Sequence, residues 1–122
     1  KGAFNTSQVG DISAIDPQGN RLTSSVFIEC KFYKDLHFNR LLTGDDKSGG
    51  IPSFWSICIS CAKQANKIPV LIAKQNGTET FLLTNSQGID LFNLHNYTIA
   101  HFPKQNIYLF SFNQFLKYAK RP

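Results

Sequence analysis

"FIECKFY", residues 27 to 33, is the stretch on which the reading of this chain turns. An apolar run that carries an acid and a base two positions apart is a strand with two unlike faces, because side chains on an extended backbone alternate. Glu29 and Lys31 then share a face with Phe27, while Ile28, Cys30 and Phe32 point the other way. An acid and a base are therefore expected side by side on one surface of a sheet. With no chemistry attached, they are an ion pair on an exposed sheet face, typically worth well under ~1 kcal/mol.

Toward the N-terminus, "QVGDISAID" (residues 8–16) reads as a strand, "PQGN" (17–20) as a turn and "LTSSVFIECKFY" (22–33) as a longer strand, which predicts an antiparallel hairpin. That hairpin would bring Asp11 close to Glu29 across the sheet, whereas Asp16, next to Pro17, is an ordinary turn residue. Beyond the strand the chain turns polar from Lys34 to Pro52, and "TGDDKSGG" (43–50) is expected to be a flexible connection beside the site, with Asp45 and Asp46 as solvated charges. Ser53 is placed to cap a helix over 53–66. Its apolar face is Phe54, Ile57, Cys58, Cys61, Ala62 and Ala65, and its polar face is Ser56, Ser60, Lys63, Gln64 and Lys67. "IPVLIAK" (68–74) is a continuous apolar strand of the sort covered on both faces, and "QNGTETFLLTN" (75–85) supplies an Asn-Gly turn and another strand. Ile107 to Phe110 add a last short strand, and "NQFLKYAK" a terminal helix begun by Asn113. No internal repeat, low-complexity tract or second domain is visible, so residues 1–122 are read as one α/β domain.

At 122 residues, with 42% hydrophobic and 13% aromatic content, the chain can bury one real core. No apolar stretch approaches the ~20 residues of a membrane helix, and no signal-peptide pattern opens the chain, so a soluble, intracellular, cytoplasmic protein is expected. Met is absent altogether, which leads us to expect residues ahead of Lys1. Thirteen Lys and Arg against eight Asp and Glu give a formal charge of +5. Such a balance serves solubility, and it also attracts polyanions, nucleic acid among them. Lys31, Lys34, Arg40 and Lys47 fall in one segment with His37, and Lys117, Lys120 and Arg121 form a basic end.

Three cysteines, Cys30, Cys58 and Cys61, are an odd number and point to a reducing compartment rather than a disulfide framework. "CISC" (58–61) has zinc-ligand spacing, but a structural zinc takes about four ligands and there is no second Cys pair. Both thiols also fit the apolar stripe of the helix, and buried thiols are the expectation.

Chemistry follows from the expected hairpin. Two carboxylates on adjacent strands, Asp11 and Glu29, suit a hard divalent cation such as Mg²⁺, which takes one or two protein carboxylates and completes its shell with water and phosphate. Lys31 beside them can orient a metal-activated water or offset charge growing on phosphorus, which describes phosphodiester hydrolysis.

"GDI" (10–12), eighteen residues before the acid of "ECK" (29–31), then a helix and "IPVLIAK", resembles the PD-(D/E)xK nuclease superfamily. Within it the chain is most similar to small Holliday-junction-resolvase-like endonucleases of phages and prophages, and the likeness spans about Gly2 to Lys74. It implies a restriction-endonuclease-like core with a central mixed sheet flanked by helices, and a Mg²⁺- or Mn²⁺-dependent endonuclease acting on DNA at Holliday junctions or other branches. Asp11, Glu29 and Lys31 would be catalytic, with Asp11, Glu29 and the Cys30 backbone carbonyl as metal ligands. Gly10 would allow close backbone approach. Lys34, Arg40, Lys47, Lys63 and Gln64 would meet nucleic acid, and two symmetric cuts imply a homodimer. Members often add a glutamate from an N-terminal helix; no acid precedes Asp11 here, so such a residue would be expected ahead of Lys1. The alternatives are a catalytically silent DNA-binding subunit, or a restriction-type or toxin nuclease of the same fold.

Overall fold

In the computed structural model, which describes residues 24–45 and 47–119, "FIECKFY" lies on strand β1, Val26–Tyr33. The strand begins at Val26 rather than Leu22. Ser24 and Ser25 are helical, and extended structure starts where the β-branched and aromatic residues start. The expected hairpin partner at 8–16, with Gly10 and Asp11, and the turn at 17–20 lie outside the described residues.

β1 pairs in parallel with β2, Ile68–Gln75, in unbroken register from Val26 opposite Ile68 to Tyr33 opposite Gln75. A parallel pair needs a crossover of about a dozen residues or more. Here it holds a short helix, α1 (Arg40–Thr43), and a long one, α2 (Ile51–Gln64). The Asn76-Gly77 turn, with Gly77 in the left-handed region at φ +82°, reverses the chain into β3, Phe81–Thr84, antiparallel to β2. Helix α3 (Ser86–Phe92) and a 3₁₀ turn at His95–Tyr97 lead to β4 (Ala100–Phe102) and β5 (Ile107–Ser111), and helix α4 (Phe112–Tyr118) follows. The sheet order is β1-β2-β3-β5-β4. This mixed sheet with flanking helices is the α/β, restriction-endonuclease-like arrangement that the resemblance implies.

Two apolar layers hold it. Phe54, Trp55, Cys58 and Ala62 of α2 pack on Phe27, Leu71, Ala73, Leu83 and Leu109. On the opposite face, Val26, Ile28, Val70, Ile72, Leu82 and Phe110 meet Ile89 and Phe92 of α3 and the half-buried Phe115 of α4. Cover on both sides is why "IPVLIAK" stays apolar at successive positions.

Two helix starts differ from the sequence-based expectation, and two elements were not expected. Helix α2 starts at Ile51 with Gly50 as its N-cap and Pro52 in the first turn, not at Ser53; Pro is favoured there because its missing N–H is one the helix leaves unpaired anyway. The core face of α2 is Ile51, Phe54, Trp55, Cys58 and Ala62, and Ile57, expected on that face, is 55% exposed. Helix α4 is capped by Ser111, whose Oγ accepts from Gln114 N at 3.5 Å, so Asn113 lies inside the first turn. Helix α3 and strand β4 were not read from the sequence at all. In α3 the reason is Gly88, which lowers helix propensity, although Asn85 caps the helix in the ordinary way by accepting from Gly88 N at 3.0 Å.

Gly88 is there for space. A Cβ on it would overlap the side chain of Thr84, which is fully buried and donates its hydroxyl proton to Pro69 O at 2.9 Å, tying β3 to β2. Helix propensity alone predicts a gain of up to ~1 kcal/mol for Gly88→Ala, whereas overpacking costs about 1–3 kcal/mol. We expect urea unfolding to show a net loss for Gly88→Ala, and a gain would mean that α3 does not sit this close to β3.

Candidate functional site

β1 changes character along its length. Val26, Phe27 and Ile28 are buried, and from Glu29 onward the strand becomes half-buried and then exposed. The alternation expected from the sequence holds: Phe27 joins the α2 layer, while Val26, Ile28 and the half-buried Cys30 join the α3/α4 layer. Glu29 stands opposite Leu71 and Lys31 opposite Ala73, both residues of the α2 face. The acid and the base thus project toward α2 near the carboxyl ends of two parallel strands, the side on which α/β sheets commonly bind ligands.

Lys31 Nζ lies 3.8 Å from Glu29 Oε2, with side chains 27% and 21% exposed respectively. That separation exceeds the ~2.7–2.9 Å of a charge-assisted hydrogen bond. The pair attracts without locking, and neither group is fully withdrawn from solvent. The first turn of α2 closes the site from above: the Lys31 ammonium sits over the Phe54 ring, 5.0 Å from its centroid, and Tyr33 packs on the same ring edge-to-face at 5.2 Å. Sequence reasoning placed Phe54 only in a helix stripe. The available sign was the topology itself, because a crossover helix begins over the carboxyl end of the strand it follows.

Residues 34–45 and 47–50 are folded back beside this end by specific bonds. Gln75 Oε1 accepts from Leu36 N at 3.0 Å, and Leu36 O accepts from Ile51 N at 2.8 Å, so the buried Leu36 links the end of β2 to the start of α2. Arg40 donates from Nη1 to Lys47 O at 3.2 Å and packs so closely on Gly50 that a Cβ there would meet its guanidinium at 2.7 Å. Asp45 Oδ1 accepts from Lys47 N at 3.1 Å. Lys34, Arg40 and Lys47 therefore belong to the same end of the sheet as Lys31. Lys63 and Gln64 do not: α2 runs back toward the start of β2, and nine residues of helix put Lys63 roughly 13 Å along the axis from Phe54. Both are exposed in its last turn.

Cys58 is fully buried against the sheet and its thiol donates to Val70 O at 3.7 Å, while Cys61 is half-buried at the edge of the same layer. Among the described residues, no group of three or more His, Cys, Asp and Glu side chains is arranged to hold a metal ion. Glu29 offers one carboxylate on an accessible strand end, which suits a cation content with one or two protein carboxylates and several waters. Asp11, the second expected ligand, lies outside the described residues. No helix among the described residues is long and apolar enough to cross a membrane.

Compared with known proteins, the chain matches a family model described as "Phage putative PDDEXK endonuclease" over residues 1–120. No curated protein and no solved structure matches it significantly.

Because the Glu29–Lys31 pair is partly solvated and loosely spaced, it contributes little to stability, on the order of ~0–1 kcal/mol. Lys31→Gln should therefore unfold within about 2 kcal/mol of the parent in urea, the ring contact included. A loss several times larger would make the pair a structural element rather than a reactive one.

Proposed function

The chain belongs to the phage PDDEXK endonuclease family, and from that premise we propose a divalent-metal-dependent endonuclease that hydrolyses DNA phosphodiester bonds, at Holliday junctions or other branched DNA. The observation that supports this reading most strongly is the Glu29–Lys31 pair, half-buried on the α2 face at the carboxyl end of β1. Glu29, Asp11 and the Cys30 backbone carbonyl would hold Mg²⁺ or Mn²⁺. Bound there, the ion would supply Lewis-acid polarisation of a phosphate oxygen and a lowered pKa for a coordinated water.

Lys31 carries the opposite charge and has a different task. Its ammonium donates to the attacking water or to a non-bridging phosphate oxygen, where it offsets the negative charge that grows on the phosphoryl group. Glu29 is 3.8 Å from that ammonium, near enough to hold the lysine at the site without tying up its donors in a short charge-assisted hydrogen bond. Lys34, Arg40 and Lys47 bind backbone phosphates along the same rim, and Lys63 and Gln64 meet DNA farther along α2. Contacts of this kind make affinity fall steeply with salt. Two symmetric cuts require two sites, so the working form on a junction is a homodimer.

Incubation with duplex, single-stranded and four-way-junction DNA, with and without Mg²⁺ or Mn²⁺, tests the reading. We expect metal-dependent cutting, abolished by Glu29→Ala and by Lys31→Ala, with metal affinity strongly weakened only in the first. Lys31→Ala should still retain DNA in Ca²⁺. Full cleavage by a folded Lys31→Ala protein would leave the pair as an ion pair and nothing more.

A further inference from the structure

Hydrolysis as proposed asks Lys31 to keep its place while its carboxylate neighbour is engaged by a cation. A flexible four-carbon stem does not keep it there unaided. An uncharged group lies against the ammonium: Phe54, whose ring centroid is 5.0 Å from Nζ. Phe54 is well fixed for that task. It is 9% exposed, it is anchored in the α2 layer, and Tyr33 packs on its ring at an interplanar angle of 90°.

We propose that Phe54 is the positioning residue of Lys31, an inference that rests on the nuclease reading above. Glu29, Lys31 and Tyr33 alternate onto one face of β1, and the first turn of α2 lays a single ring over the last two. The ring face attracts the ammonium through its quadrupole. It carries no net charge, so its attraction does not diminish when a cation neutralises Glu29. It also does not bind the N–H groups as a second carboxylate would, and the lysine's donors stay available to water or phosphate. The carboxylate and the ring thus hold the lysine from two directions, and only one of the two is lost on metal binding.

Four proteins test this: wild type, Phe54→Leu, Phe54→Tyr and Lys31→Ala, each read by steady-state cleavage and by NMR of ¹³C-labelled lysine. Lys31→Ala identifies the Lys31 ε-methylene signal by its loss. In the wild type and in Phe54→Tyr that signal is expected upfield of the other lysines, shifted by the ring current, and in Phe54→Leu at the position of a free lysine. Cleavage by Phe54→Leu should fall roughly three- to thirty-fold in kcat, the range to which the strength of such a contact converts, with KM unchanged. Phe54→Tyr, which keeps the ring face and the fold, should restore it. An unshifted Lys31 signal in the wild type overturns the proposal, as does Phe54→Leu cleaving at the wild-type rate while Lys31→Ala does not cleave. If the wild type cleaves no DNA, the nuclease reading fails and takes the catalytic half of the inference with it. The lysine signal then still decides whether the ring holds Lys31.

Discussion

The parallel pairing of β1 with β2 is the constraint from which the rest of the structure follows. It forces the chain to cross over the sheet, and the crossover delivers α2 onto the face that carries Phe27, Glu29, Lys31 and Tyr33. A slip of one residue in this register would send that set to the α3/α4 face and bring Ile28 and Cys30 under α2. Val26, Phe27 and Ile28, buried alternately in the two layers, oppose the slip. The apolar half of the strand therefore sets the register, and the charged half is carried into position by it.

That division explains how much could be read without coordinates. Where a feature rests on period-two alternation, as with the sharing of one face by Glu29 and Lys31, or on a run covered from both sides, as in "IPVLIAK", the residues alone suffice. The Asn76-Gly77 turn is similarly local. Legibility ends where a residue is chosen for a distant neighbour. Gly88 looks like a helix breaker until Thr84 is seen beneath it, and so α3 is missed. Pro52 and Gly50 start α2 earlier than Ser53, and the stripe that packs on the sheet is centred on Ile51, Cys58 and Ala62, which leaves Ile57 outward and puts Trp55 inward, where its Nε1 donates to Gln105 O at 3.1 Å.

The candidate site divides along the same line. The acid and the base were legible, since two residues on one strand need only the backbone's geometry. Phe54 was not, because its contact with Lys31 exists only once the direction of α2 is known. The same direction separates Lys63 and Gln64 from the Lys34, Arg40 and Lys47 rim, a distinction that residue types cannot make. Cys58 and Cys61 fit the helix stripe as apolar side chains, and the Cys58 thiol is engaged by the Val70 carbonyl inside the core.

A metal centre built on β1 makes a spatial demand that is independent of any substrate. Titration of the ¹⁵N-labelled protein with substoichiometric Mn²⁺, read as paramagnetic broadening of backbone amides, measures where the ion sits. Broadening that begins at Glu29 and Cys30, spreads to Lys31, and disappears in Glu29→Gln is the predicted result. Sharp signals at residues 29 to 31, with broadening centred on Cys58 and Cys61 or spread evenly over the surface, would contradict it.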